Sequence, residues 1–126
     1  MKEIKPFIAN HGTYPFDVLV CIGSSDEEVF KELKKFGQNL SDEDKKILKC
    51  EGDGRTVMLE GGQTVLRVKI YKDKAQMASY IAHEVFHAVE FLFDCIKLKY
   101  DVNTSSEAFA YQIAHLTRQI YDKYKN

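Results

Sequence analysis

The sequence predicts an α+β fold: a small twisted sheet packed on one long helix and on a C-terminal helix. Three observations predict it. Short runs rich in β-branched residues lie at Tyr14–Ile22, Arg55–Glu60 and Gln63–Tyr71, and such runs read as strands. An apolar stretch too long for a strand extends from about Lys74 to about Cys95. A second stretch, from about Ser105 to Tyr124, carries Phe109, Ile113, Leu116, Ile120 and Tyr124 at helical spacing. At 126 residues the chain reads as one domain, 1–126.

The elements follow in order. Residues 1–13 are expected to be extended, with Gly12 marking a turn and His11 a surface residue of that turn. The apolar run within Tyr14–Ile22 reads as a buried strand ended by Gly23. Ser25 and Glu28 form a capping box for an amphipathic helix bearing Val29, Phe30, Leu33 and Phe36, which stops at Gly37. Ser41 starts a short helix, about Asp42 to Cys50, whose alternating Lys and Glu mark a solvated face. Glu51-Gly52-Asp53-Gly54 has some flavour of a calcium loop but lacks the ligand series, so it reads as a plain turn. Gly61-Gly62 joins the next two strands as a hairpin. In the second of these, Leu66, Val68 and Ile70 face one way and Arg67, Lys69 and Tyr71 the other.

Asp73, with Gln76 three residues on, reads as the cap of the long helix. That helix is apolar nearly all round: Met77, Ile81, Val85, Ala88 and Leu92 form one stripe, and Ala78, Ala82, Phe86, Val89 and Phe93 fill others, so it is expected to be buried. Ile96–Val102 is a short connection, and Thr104-x-x-Glu107 is a capping box for the last helix.

Composition bounds the function. With 44% hydrophobic and 29% charged residues the chain is an ordinary globular protein, and a net charge of −1 gives no sign of a nucleic-acid or anionic-membrane partner. Charged residues interrupt every candidate bilayer span, and Met1–Pro6 lacks a signal-peptide core, so a cytoplasmic location is expected. Cys21, Cys50 and Cys95, odd in number and widely spaced, read as free thiols in a reducing compartment. There is no repeat and no low-complexity segment.

One motif carries chemistry. His83-Glu84-Val85-Phe86-His87 reads H-E-x-x-H on the long helix. Residues i and i+4 share a helix face, so two imidazoles at that spacing can bite one metal ion, and zinc (Zn2+) suits them. Glu84 lies beside that ion, where a general base for an activated water is needed. If the helix is buried, a His-Glu-His cluster on it needs partners or a metal. Glu107, nineteen residues after His87 and near the start of the next helix, is a candidate third ligand, or else only the capping partner of Thr104. Glu90 shares the face of the two histidines, and three roles are open to it: holding a ligand by hydrogen bond, pairing with Arg118, or competing with Glu107. Tyr111 and His115, one and two turns beyond Glu107, are candidate hydrogen-bond donors to an oxyanion, or else pack with a wet polar tip.

On these residues the chain resembles the gluzincin zinc metallopeptidases, in which H-E-x-x-H is followed by a Glu on the next helix. The gap to Glu107 is similar to that of thermolysin-like enzymes. The shortness is similar to that of minigluzincins and of small phage-encoded zincins. The resemblance covers roughly residues 55–124. It implies a minimal zincin-like fold, His83, His87 and Glu107 as zinc ligands, Glu84 as catalytic base, and an edge strand from the Arg55–Tyr71 hairpin to hold an extended peptide or protein substrate; the hairpin otherwise reads as core sheet only. Two departures stand out. Many gluzincins carry an Asp four residues after the ligand Glu, where this chain has Tyr111, and the large second domain of thermolysin-like enzymes is missing. The function expected is metal-dependent peptide-bond hydrolysis. The alternatives are a zincin-like metal-binding module without peptidase activity, structural or host-interacting, and a metal-free regulatory domain.

Overall fold

The computed structural model describes residues 4–124, so Met1–Glu3 of the expected extended N-terminus lie outside the described residues. The elements are β1 (Phe7–Asn10), β2 (Asp17–Ile22), α1 (Asp26–Lys35), α2 (Asp42–Leu48), β3 (Gly54–Met58), β4 (Thr64–Val68), α3 (Lys74–Cys95) and α4 (Ser106–Tyr124). The molecule is α+β, with the four strands forming one mixed sheet in the order β1-β2-β4-β3.

Local signals set most boundaries. Glu28 N–H donates to Ser25 Oγ at 3.2 Å and Ser25 N–H to the Glu28 carboxylate at 3.0 Å, closing the capping box of α1. Ser41 and Asp44 make the same reciprocal pair at α2. Asp73 accepts from the backbone of Ala75 and Gln76 at the start of α3, but the Gln76 amide reaches the Tyr80 hydroxyl, so the cap is one-sided. At α4 the expected Thr104–Glu107 box gives way to a tighter turn. Asp101 Oδ1 accepts from the N–H groups of Asn103 and Thr104, and the Ser105 hydroxyl donates to Lys99 O.

β2 pairs antiparallel with β1 and parallel with β4, in the register Val18↔Thr64 to Ile22↔Val68, and β3 pairs antiparallel with β4. Both central strands are buried on both faces, because helices cover the sheet from two sides. On one side Val18, Val20, Ile22, Leu66 and Val68 meet Met77, Ile81, Val85, Ala88 and Leu92 of α3, with Phe109, Leu116 and Ile120 of α4 behind. On the other, Leu19, Cys21 and Val65 meet Val29 and Leu33 of α1 and Leu48 of α2.

Arg67 faces this second layer, as its alternation requires, but is buried there. Its guanidinium donates to Asp26 at 2.6 Å, Leu48 O at 2.8 Å and Ser24 O at 2.7 Å. A fixed planar fork can satisfy three acceptors at once, so Arg67 ties the β2–α1 loop and the end of α2 to the sheet.

Two expectations need correction. His11 is not a surface residue: it is 2% exposed beneath α4, where the Gln112 side chain donates to its Nδ1 at 3.0 Å and to its carbonyl at 3.1 Å. Gly12, at φ +72°, turns the chain so that His11 tucks inward. Nor is α3 buried all round. Its apolar residues outnumber the area the sheet and α4 can cover, so Ala82 and Phe86 stay in solvent, Phe86 at 47%. The uncovered face is the one that carries the motif.

Candidate metal centre

His83 and His87 stand one turn apart on the open face of α3, the first exposed and the second half-buried. Their rings lie nearly perpendicular, at 75°, with centroids 4.9 Å apart and the two Nε2 atoms 3.3 Å apart. Two nitrogens bound to one zinc at about 2.0–2.1 Å, at the tetrahedral angle, stand about 3.3–3.4 Å from each other. The imidazoles therefore already hold the separation that a shared ion requires. A single N–H···N hydrogen bond accounts for the same distance when no ion is present.

Behind His87, Glu90 Oε1 lies 2.9 Å from Nδ1. A carboxylate only accepts, so the Nδ1 of His87 carries a proton, and in the neutral ring Nε2 keeps its lone pair toward His83. Of the partners its sequence position left open, Glu90 meets His87, not Arg118.

Glu84 projects from the same turn toward the sheet and is 5% exposed. Of the motif's three polar residues only Glu84 is buried, so only Glu84 needs a partner in the core. The Thr56 hydroxyl donates to Glu84 Oε1 at 2.8 Å and approaches its carbonyl at 3.2 Å. Gly54, two residues earlier on the same face of β3, leaves room for the rest of the side chain. A Cβ there would lie 2.9 Å from Glu84 Oε2 and 3.0 Å from Cγ. The carboxylate is held between helix and strand by contacts that do not take up Oε2. Sequence reasoning missed Gly54 and Thr56; the usable signal was period-2 spacing, which puts both on the face of β3 that meets α3. In the sheet order β3 is an edge with β4 as its one neighbour, so the strand lining Glu84 is also an open template for another backbone.

The remaining sequence-predicted residues are not gathered here. Glu107, in the first turn of α4, is exposed. It sits roughly 180° around that helix from the fully buried Leu116, on the side away from the core. Tyr111, one turn on, is 72% exposed. His115 turns toward the end of β1, its Nε2 3.2 Å from Asn10 Oδ1. Among the described residues no three His, Cys, Asp or Glu side chains converge as a metal-binding group. The imidazole pair thus has the spacing a shared ion requires, but among the described residues no third donor completes a zinc site. Beyond Glu90 a recess of about 450 Å³ opens between the end of α3 and the next connection, lined by Phe93, Asp94, Lys97, Tyr100 and Phe109.

No helix among the described residues is long and apolar enough to cross a membrane. Comparison with family models, curated proteins and solved structures finds no match to this chain.

Proposed function

We propose that the protein is a zinc-dependent metallopeptidase of minimal gluzincin-like construction, with His83 and His87 holding the ion and Glu84 as general base. The observation that carries this reading is the 3.3 Å separation of the two Nε2 atoms. When bound, zinc supplies Lewis acidity, which brings the pKa of a coordinated water toward about 7.

The chain's own residues do the rest. Glu84 accepts the proton from the attacking water and returns it to the leaving amine. Thr56 fixes one carboxylate oxygen by hydrogen bond, leaving Oε2 for the proton. β3 offers its open edge to an extended peptide, whose backbone pairs alongside the strand and comes to rest by the motif. Tyr111 and His115 receive no step, because the first stands in solvent and the second is engaged with Asn10. The unpaired Cys21, Cys50 and Cys95 suit a reducing, cytoplasmic setting.

One observation favours a second reading, a zincin-like metal-binding module without peptidase activity. Glu107 points to solvent, leaving two histidines as the gathered donors. Metal analysis of the purified protein, followed by digestion of a casein or peptide library, separates the two. The peptidase reading expects bound zinc, and cleavage that Glu84→Gln removes with zinc retained. Zinc-loaded wild type and Glu84→Gln equally inert on every substrate would leave the binding module, and protein that takes up no zinc would end both.

A further inference from the structure

We propose that the recess beyond the end of α3 binds a free aromatic amino acid, its ring on Phe93, Phe109 and Tyr100 and its charged ends on Asp94, Lys97 and Lys99. None of these residues takes part in the metal reading above.

The recess measures about 450 Å³, inside the range of about 300–1,000 Å³ usual for small-molecule sites. Its floor is aromatic. Phe93 and Phe109 are buried with ring centroids 4.4 Å apart, and Tyr100 meets Phe109 edge-on at 5.3 Å and 81°. Tyr100 is nonetheless 62% exposed, so most of its ring is uncovered beside the opening. Aromatic rings favour edge-to-face and offset partners, so a further ring is the apolar body that suits this wall.

The rim carries unpaired charge of both signs. Asp94 lies in the last turn of α3, where the partial negative charge of the helix end disfavours a carboxylate, and that turn holds no basic residue. Lys97 stands at φ +61°, a conformation that glycine adopts freely and lysine does not. Lys99 follows two residues on. None of these three side chains forms an ion pair with another described residue. The neighbouring Glu90 carboxylate is turned to His87, which leaves Asp94 as the free acid of the rim. Asp94, Lys97 and Tyr100 thus each break a local rule, and all three line one recess. An amino acid carries ammonium, carboxylate and side chain on one carbon, so a single molecule answers the aspartate, the lysines and the rings together. A carboxylate alone would leave Asp94 unpaired against it, and an ammonium alone would leave both lysines so.

The test is calorimetric titration of the whole protein with L-phenylalanine and with three analogues that each lack one feature. N-acetyl-L-phenylalanine lacks the ammonium, L-phenylalanine amide the carboxylate, and L-alanine the ring. The expected result is saturable binding of L-phenylalanine and none of L-alanine. Each analogue missing a charge should bind about two- to fivefold more weakly, the scale of an ion pair open to solvent. Asp94→Asn should no longer distinguish L-phenylalanine from its N-acetyl form. Lys97→Gly should bind L-phenylalanine about two- to fivefold more weakly without a lower denaturation midpoint, a pair of readouts that a merely structural lysine would not separate. Absence of saturable L-phenylalanine binding to wild type would overturn the proposal. So would analogues that bind as tightly as L-phenylalanine, or wild-type affinity in both variants.

Discussion

Gly54 shows how closely the chain is fitted around the motif. An added methyl would meet Glu84 Oε2 at 2.9 Å and the Arg67 carbonyl at 3.0 Å, and only the first of these can swing aside. Gly54→Ala is expected to push the Glu84 side chain off Thr56 and to cost about 1–3 kcal/mol, read from urea unfolding. Unchanged stability would mean that β3 does not approach Glu84 this closely. His11 makes a second residue-scale prediction. Burial pushes its pKa down to about 4, against the opposing pull of Asp17. The unfolded chain, with an ordinary imidazole, binds a proton below about 6.5, while the folded one refuses it until about 4. Stability from a neutral His11 is therefore complete above about 6.5 and is lost as pH falls through 4. Melting temperatures of wild type and His11→Gln, taken from pH 7 to pH 4, should converge as the wild type loses this advantage; parallel curves would rule out the linkage. Sequence patterning could not place His11, because a turn beside a glycine is usually wet and Gln112, which seats it, lies 101 residues away.

Among the elements, those set by adjacent residues were legible and those set by distant ones were not. Asp73 and the apolar run after it give α3 its bounds, Lys74 to Cys95, and Ser25 and Ser41 give two further helix starts. Which side of α3 stays wet was not legible, because its apolar residues circle the helix and only the sheet and α4 decide what is covered. The same holds for α4: spacing identified the Phe109–Leu116–Ile120 stripe, yet the consequence that Glu107 faces away from it depends on how the helix is docked. The end of α3 offers its own test. Lys97 sits at φ +61° while Leu98 N–H bonds to Phe93 O at 2.9 Å and Lys97 N–H to Asp94 O at 3.2 Å, the six-residue closure that glycine makes without strain. Lys97→Gly should stabilise the protein by about 1 kcal/mol, seen as a raised denaturation midpoint at unchanged slope. A lower midpoint would show that the lysine side chain contributes more than its backbone strain costs.

At the scale of the molecule, the sheet divides the labour. One face, with α1 and α2 anchored through Arg67, is a covering layer. The other face supports the helix that bears the histidines, and β3 borders that helix at the sheet's edge. The α+β class and the single long helix were readable from composition and period alone. The second covering layer was not, since the short helices of residues 26–48 gave no sign of which surface they would meet. A ligand that binds only the folded chain raises its stability by mass action, about 2.7 kcal/mol at a hundredfold excess over the dissociation constant. Zinc should therefore raise the melting temperature of wild type, a chelator should reverse it, and His87→Ala should show neither effect. A zinc-induced rise that His87→Ala retains would place the ion elsewhere.

The two imidazoles belong to consecutive coils of one helix, and that has a kinetic consequence. An ion gripping both acts as a clip across a single turn, closing a loop of a few residues without help from the sheet. Amide protons around residues 83–91 should then exchange with deuterated solvent markedly more slowly with zinc than without it. That protection should persist in mild denaturant, after the strands have begun to open.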